Sequence, residues 1–172
     1  IASAIISGFE ALEVFVETDL SGGLPKFELV GLADTSVTES KLRIRTALKN
    51  TGISFPSIKL VVNLAPADLR KEGSGLDLAI VTSMLSATEV IPAELTSKYV
   101  FIGELSLNGD LRHTRGVLPI ALMAVKKGYK GIILPMENVR EAMVIPNFEV
   151  IGFNNLKEMI DSFKSDNGIF VM

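Results

Sequence analysis

The residues that could do chemistry in this chain are few, and the most suggestive ones lie in a glycine-rich segment. Gly73-Ser74-Gly75 follows Lys71 and precedes an apolar stretch that starts at Leu76. Backbone amides at the start of a helix can bind anions, so the segment could form a weak anion site. The simpler interpretation is a loop whose glycines supply the backbone freedom that a turn needs.

Few residues of the chain could serve acid-base or metal chemistry. His113 is the single histidine, and it lies in the polar stretch Arg112-His113-Thr114-Arg115. A Ser-His-Asp triad would need this histidine, but a solvated loop histidine is the more common case. Asp68 and Asp77 could bind a cation, although capping or salt bridging is expected because no neighbouring ligand pattern accompanies them. Because the chain has no cysteine and one histidine, sites built from Cys ligands or from several His ligands are excluded.

Nucleotide chemistry is not expected of this chain. A phosphate-binding P-loop follows the pattern G-x-x-x-x-G-K-[ST], and no stretch of the 172 residues fits it. The net charge of −3 gives no overall attraction for nucleic acid, so any DNA contact would have to use a local basic patch. We therefore predict no cofactor or metal site within this chain.

Length and composition indicate a folded protein. A chain of 172 residues with 48% hydrophobic and 22% charged residues can bury a core, and we predict one domain over residues 1–172. The chain has neither a signal-peptide pattern nor an apolar run of roughly 18 residues that could span a bilayer. These features predict a cytoplasmic protein without a membrane contact.

The elements that must position these residues can be located from hydrophobic periodicity. Alternation over Ala11–Glu17 predicts a strand that pairs with Ala2–Ile6. Ser36 and Glu39 fit a capping box for a helix over residues 36–50, which Gly52 can end. Further strands are predicted at Phe27–Val30, Ile58–Leu64 (buried on both faces), Tyr99–Leu105, Gly131–Leu134 and Phe148–Ile151. Further helices are predicted at Leu76–Leu85 (buried all round), Val117–Lys127, Pro135–Met143 and Leu156–Phe163, with a tight turn at Asn108-Gly109-Asp110. This alternation is typical of an α/β or α+β fold.

The predicted helix over residues 36–50 has a basic face. Lys41, Arg45 and Lys49 recur at i, i+4 and i+8 and therefore share one side, while the apolar residues of the helix lie on another. Such a face is either solvated surface or a contact for phosphate groups or a second subunit.

Three blocks of the chain resemble the ComM/YifB family of magnesium-chelatase-like AAA+ ATPases, and they occur in family order. The blocks are Gly23-Leu24-Pro25-x-Phe27-x-Leu29-Val30-Gly31-Leu32, Asn63-Leu64-Ala65-Pro66-Ala67-Asp68-Leu69 with Lys71-Glu72-Gly73, and Gly103-Glu104-Leu105-Ser106-Leu107-x-Gly109 with Arg115-Gly116-Val117-Leu118-Pro119. The resemblance implies a Lon-protease-like (ChlI-type) amino-terminal domain. Its expected fold is that of ribosomal protein S5 domain 2, as in the Lon proteolytic domain and the RadA carboxy-terminal domain.

The same resemblance implies that peptidase chemistry has been lost. It places Gly75 at the position of the Lon catalytic serine and Leu118 at the position of the catalytic lysine. A Ser–Lys dyad needs a hydroxyl and an amine, and neither glycine nor leucine supplies one. A shift of one residue does not restore the amine, because Val117 and Pro119 flank Leu118. Two alternatives stay open: a residual serine peptidase that uses Ser74, and a magnesium-chelatase subunit.

For function, the resemblance implies a scaffold domain that precedes an AAA+ module in the same polypeptide. It would support a hexameric ring and contact DNA weakly in recombination and natural transformation, while ATP and Mg²⁺ would act in the full-length parent. The positions that could contact DNA or a neighbouring subunit are Lys41, Arg43, Arg45, Lys49, Arg112 and Arg115, of which Arg43 and Arg45 match the family pattern.

Overall fold

A mixed seven-stranded sheet organises the protein, for which a computed structural model describes residues 1–165. Its strands are β1 Ala2–Ser7, β2 Glu10–Ser21, β3 Lys26–Val30, β4 Lys59–Ala65, β5 Tyr99–Phe101, β8 Gly131–Pro135 and β9 Glu149–Phe153, and a separate hairpin holds β6 Glu104–Leu105 and β7 Leu111–Arg112. The strand order in the sheet is β3-β4-β2-β1-β5-β8-β9. The helices are α1 Thr35–Thr38, α2 Ser40–Thr51, α3 Asp77–Ala87, α4 Ala93–Thr96, α5 Val117–Lys126, α6 Val139–Ala142 and α7 Leu156–Lys164. The α/β prediction is confirmed.

The sheet combines antiparallel and parallel pairing. The predicted first hairpin is confirmed: β1 pairs antiparallel with β2 from Ala2↔Phe15 to Ser7↔Glu10. β2 is also antiparallel to β4, whereas the β3–β4, β1–β5, β5–β8 and β8–β9 pairs are parallel. The sheet is therefore mostly parallel. The domain predicted over residues 1–172 extends to residues 166–172, which lie outside the described part of the chain.

Helices form a layer on each face of the sheet, so two hydrophobic clusters fill the interior. The larger cluster includes buried residues of α2, α3 and α7, and the smaller one includes those of α5 and α6. The prediction for α3 is confirmed, because every residue from Asp77 to Leu85 is buried. Among the helices of residues 1–165, none is long and apolar enough to cross a membrane.

The prediction that β4 is buried on both faces was wrong. Leu60, Val62 and Leu64 are buried, but the alternate residues from Lys59 onward are only partly buried. The smaller cluster on the second face gathers around β1, β5, β8 and β9 and contains no buried residue of β4. An apolar run of this length does not distinguish the two cases, since branched side chains also suit a half-covered strand.

The predicted helix over residues 36–50 is two helices. α1 and α2 meet at Glu39, immediately before Ser40, whose side chain turns toward Asp77. The cap is Asp34 and not Ser36, because the Asp34 carboxylate accepts a hydrogen bond of 2.9 Å from the Val37 amide. The predicted end at Gly52 is confirmed by its left-handed backbone conformation, with φ +83°.

Other boundaries differ more modestly. The strand predicted over Tyr99–Leu105 divides into β5 and β6, which belong to different sheets. β6 and β7 form the hairpin whose turn was predicted at Asn108-Gly109-Asp110. The helix predicted over Pro135–Met143 is a 3₁₀ turn at Met136–Asn138 followed by α6. The short helix α4 was not predicted from the sequence.

Candidate functional site

The loop of residues 72–76 carries the glycine-rich segment, and a buried lysine stands at its start. The Lys71 side chain is fully buried, and its Nζ donates hydrogen bonds to the Gly31 carbonyl at 2.6 Å and to the Pro66 carbonyl. Burial lowers the pKa of the Lys71 ammonium, and the negative charge of Asp68 opposes that shift. Lys71 thus connects the start of the loop to two earlier segments of the chain, at Gly31 and at Pro66.

A buried aspartate stands at the other end of the loop. Asp77 accepts hydrogen bonds from Arg43 Nε at 2.7 Å, from the Ser40 hydroxyl and from the Leu105 amide at 3.0 Å. Burial raises the pKa of the Asp77 carboxyl, and these donors oppose the shift. The hydrogen bond to Asp77 in turn raises the pKa of Arg43. The cluster joins α2, α3 and β6, and it confirms the salt bridging expected for Asp77.

Between these two anchors, the loop borders an open cleft of about 590 Å³. The apolar residues that line the cleft include Ile5, Ile6, Ile102 and Ile120. The polar residues that line it include Glu72, Ser74, Glu104, His113 and Arg115. The Ser74 hydroxyl donates a hydrogen bond of 2.5 Å to Glu104 Oε2, so a carboxylate and not an amine is its partner.

The two positions that resemble the catalytic residues of Lon do not form a dyad. Gly75 lines the cleft, and a Cβ atom added to it would lie 3.0 Å from Thr114 Oγ1. Leu118 lies in the first turn of α5, with 41% of its surface exposed, and is not among the residues that line the cleft. Neither side chain can act as a nucleophile or a base.

His113 has Glu141, and not Ser74, as its hydrogen-bonding partner. Its Nε2 lies 3.3 Å from Glu141 Oε1, and the Asn138 side chain donates to the same oxygen at 2.9 Å. Because Ser74 and His113 have different carboxylate partners, the arrangement of a Ser-His-Asp triad is not present in this cleft. Among residues 1–165, no three His, Asp or Glu side chains lie close enough together to hold a metal ion.

The candidate contact residues fall into several places. The Arg43 guanidinium is bound to Asp77 and only 17% of its side chain is exposed, so it is committed within the fold. Arg45 and Lys49 are exposed on α2 and line a shallow hollow with Phe55, whose ring centroid lies 4.1 Å from the Arg45 guanidinium carbon. Lys41 is partly exposed on the same helix. The remaining two candidates line other hollows: Arg112 lies beside the β6–β7 turn, and Arg115 lies in the cleft.

Two features of the site escaped sequence-based prediction. The burial of Lys71 depends on carbonyl groups of Gly31 and Pro66, which the sequence pattern does not bring together. The pairing of Arg43 with Asp77 was also missed, but a signal existed. The signal was an arginine beside the apolar residues of one predicted helix and an aspartate at the start of another, otherwise apolar helix. Charged residues in such positions need partners when they are buried.

Comparison with known proteins identifies relatives over most of the chain. The sequence profile of the family described as "Subunit ChlI of Mg-chelatase" matches residues 16–138. An uncharacterized protein of Mycobacterium tuberculosis is 36% identical over 167 residues, which are 97% of this chain and 33% of that protein. Competence protein ComM of Haemophilus influenzae is 40% identical and YifB of Escherichia coli 41% identical, each over 138 residues that cover 80% of this chain and 27% of the relative.

A more distant similarity connects the chain to peptidases. Lon protease 2 of Bacillus subtilis is 25% identical over 146 residues, which cover 81% of this chain and 26% of that protease. The chain spans about a third of the length of the curated relatives it matches first.

Proposed function

Because the chain belongs to the family of the ChlI subunit of magnesium chelatase and resembles ComM and YifB over most of its length, we propose that it is a non-catalytic scaffold domain of a ComM/YifB-like AAA+ ATPase. In this role the domain supports the assembly of a hexameric ring. It works in the cytoplasm and contributes weak contacts to DNA during recombination and natural transformation.

The composition of the cleft is the observation that carries the proposal. Gly75 lines the cleft where the resemblance to Lon requires a nucleophile, and Leu118 lies outside it. The hydroxyl of the adjacent residue, Ser74, is bound to Glu104. A nucleophile and its base act as a unit in such sites, so losing both removes the basis for covalent catalysis.

The extent of the relatives supports the rest of the proposal. This chain spans about a third of them and carries no P-loop, so ATP and Mg²⁺ belong to an AAA+ module elsewhere in the same polypeptide. The name of the Haemophilus relative refers to competence, and the exposed cations of α2 offer DNA a contact.

Assembly of the ATPase-containing parent tests the scaffold role. We expect the full-length protein with nucleotide to sediment as a ring and the parent without residues 1–165 to sediment as smaller species. A parent that forms rings of unchanged size and yield without this domain would contradict the proposal.

Peptidase activity tests the non-catalytic part separately. The wild-type chain and Ser74→Ala are incubated with an unfolded protein and with a fluorogenic peptide, and we expect no cleavage by either. Cleavage by the wild type that Ser74→Ala abolishes would instead establish a serine peptidase.

A further inference from the structure

One edge of β1 is only partly covered by the strand beside it. β1 pairs with β2 over its whole length, but its parallel contact with β5 consists of the single pair Ala2↔Val100. After Phe101 the chain leaves β1, and the Ile102 amide donates a hydrogen bond of 3.0 Å to the Ile133 carbonyl. Among residues 1–165, no strand lies beside the remainder of β1 on this side.

The uncovered edge carries main-chain groups without partners. In an antiparallel pair, residues alternate between those that hydrogen-bond to the partner strand and those whose main-chain groups point away from it. Ile1 exchanges two hydrogen bonds with Val16, so the odd-numbered residues of β1 are the bonded ones. The N–H and C=O groups of Ala4 and Ile6 therefore point away from β2. Within residues 1–165, the Ala4 carbonyl and both groups of Ile6 have no hydrogen-bonding partner.

The uncovered edge borders the cleft of about 590 Å³, because Ala4 and Ile6 both line it. The chain that leaves β1 is joined to the glycine-rich loop instead, since the Gly103 amide donates a hydrogen bond of 2.9 Å to the Gly75 carbonyl. Gly75 lines the cleft as well. An open strand edge and a glycine-rich loop thus border the same cleft.

These features suit an extended polypeptide. A peptide that adds a strand to an open sheet edge satisfies the main-chain groups of that edge, while its alternate side chains enter neighbouring apolar pockets. The cleft is lined by the apolar residues Ile5, Ile102 and Ile120. Its volume lies within the range of roughly 300–1,000 Å³ that is typical of ligand pockets, so only a short part of the peptide can be buried there.

Arg115 gives the cleft a positive charge that has no ion pair within residues 1–165. It is exposed and directly precedes Gly116, where an added Cβ atom would clash with the Ile6 side chain. Arg115 therefore lies near the Ile6 end of the open edge, where a carboxylate on the peptide could bind it. The other charged residues that line the cleft have partners in the fold: Glu72 pairs with Arg70, Glu104 with Ser74 and His113 with Glu141.

We propose that the cleft binds an extended, mainly apolar polypeptide segment that contains an acidic residue. The segment adds a strand to the open edge of β1 and places its carboxylate against Arg115. It is held and not cut, because Gly75 and Leu118 supply neither a nucleophile nor a base. The binding goes beyond the proposed function, and only the survival of the segment rests on the non-catalytic role stated there.

Fluorescence anisotropy with a short labelled peptide tests the proposal, with the full chain and with its ATPase-containing parent. The peptide alternates valine and threonine around one glutamate, which fixes the register, and it is blocked at both ends. Two further versions carry methyl groups on alternate amide nitrogens, one on the odd-numbered and one on the even-numbered residues. Only one alternate set of amides faces the partner strand. One methylated version should therefore bind at least about tenfold more weakly, and the other should bind like the unmethylated peptide.

Variants of Ile6 test the same hydrogen bonds from the side of the protein. Ile6→Pro removes the N–H that points away from β2 but none of the hydrogen bonds between β1 and β2, and proline is tolerated at such an edge position. Ile6→Val keeps the N–H and is the matched control. We expect Ile6→Pro to bind the peptide about tenfold more weakly than Ile6→Val. Urea unfolding verifies that both variants fold.

A double-mutant cycle tests the contact with Arg115. Arg115→Gln should weaken binding of the glutamate peptide about tenfold. It should not weaken binding of the same peptide with glutamine in place of the glutamate. Arg140→Gln removes the same charge at an exposed position of α6 that does not line the cleft, and this control should leave binding unchanged.

Four results would overturn the proposal. They are no saturable binding of the unmethylated peptide by the chain, equal binding of all three peptides, equal binding by Ile6→Pro and Ile6→Val, and equal losses in Arg115→Gln and Arg140→Gln. A chain that dimerises and is dissociated by the peptide would assign the edge to a second copy instead. Binding by the chain but not by the parent would assign it to another segment of the parent.

Mass spectrometry of the recovered peptide separates this inference from the proposed function. We expect the peptide to be intact after incubation. A peptide that binds in the predicted way but is cleaved would contradict the non-catalytic role and leave the binding site standing. An intact peptide that does not bind would contradict this inference and leave the non-catalytic role standing.

Discussion

The two ends of the loop of residues 72–76 are anchored by buried charges of opposite sign, and they are neutralised in different ways. Asp77 faces the formal positive charge of Arg43 together with the Ser40 hydroxyl and the Leu105 amide. Lys71 is equally buried, but the hydrogen bonds of its ammonium go to the carbonyls of Gly31 and Pro66. One anchor is an ion pair with supporting donors, and the other is a cation held by dipoles.

The difference determines what each anchor contributes to stability. Removing one member of a buried ion pair leaves the other charge uncompensated, which is among the most destabilising single changes in a protein. Removing the cation held by dipoles also removes its own desolvation cost, so the net loss is smaller. The loop end at Asp77 should therefore be the more sensitive to mutation.

Arg43→Ala should cause the largest loss of stability, about 3 kcal/mol. This value is at the lower end of the range for broken buried pairs, because Ser40 and the Leu105 amide still donate to Asp77. Urea denaturation measures the free energy of unfolding. Arg45→Ala, on the exposed side of the same helix, is the control and should cost about 1 kcal/mol or less. Equal losses in the two variants would show that Asp77 does not depend on its ion pair.

Lys71→Met should cost less, about 1 kcal/mol. The methionine side chain keeps most of the buried volume, but the carbonyls of Gly31 and Pro66 lose their donor. Lys71→Ala serves as the comparison, because it also leaves a cavity and should therefore cost more than Lys71→Met. The comparison of the two anchors fails if Lys71→Met is as damaging as Arg43→Ala in the same urea titration.

The smallest effect is the pH dependence that Lys71 contributes. Burial lowers the pKa of Lys71 in the folded state, so between that pKa and the unfolded value near 10.4 the unfolded chain binds the extra proton. Stability then rises with pH in this window. We expect the wild type to gain stability relative to Lys71→Met as the pH rises toward 10 in parallel urea titrations.

Tyr99 and Tyr129 also titrate in alkali, and burial together with the neighbouring Glu149 and Glu13 raises their pKa values well above the usual range. Both proteins share these tyrosines, so their effect cancels in the difference. A difference that stays constant or shrinks as the pH rises would show that the folded-state pKa of Lys71 is not lowered.

Local sequence patterns were sufficient for much of the fold. The β1–β2 hairpin follows from alternation over adjacent residues, α3 from an apolar run, and the end of α2 from Gly52. Each of these signals comes from neighbours along the chain. The division at Glu39 was not predictable in this way, because Ser40 and Arg43 turn to an aspartate that lies more than 30 residues away.

Local sequence patterns also predicted only part of the candidate site. The resemblance to Lon singled out Gly75, which lines the cleft, and helical spacing singled out the cations of α2. Spacing alone did not separate Arg43, which is bound within the fold, from Arg45, which is exposed. Arg43 and Asp77 are 34 residues apart in the sequence, and only the fold brings them together. Long-range pairing is therefore what sequence reasoning lacked.

The position of β1 in the sheet has a consequence for synthesis on the ribosome. Its first neighbour, β2, follows it directly, but its second neighbour, β5, begins at Tyr99. Once Ala65 has been made, four of the seven strands are complete and one edge of β1 is still unpaired. At translation rates of about 5–20 residues per second, the 36 residues from Pro66 to Phe101 take about 2–7 s. During that interval the nascent chain presents an open strand edge, and the stretch is where a chaperone or a pairing error has its best opportunity to act.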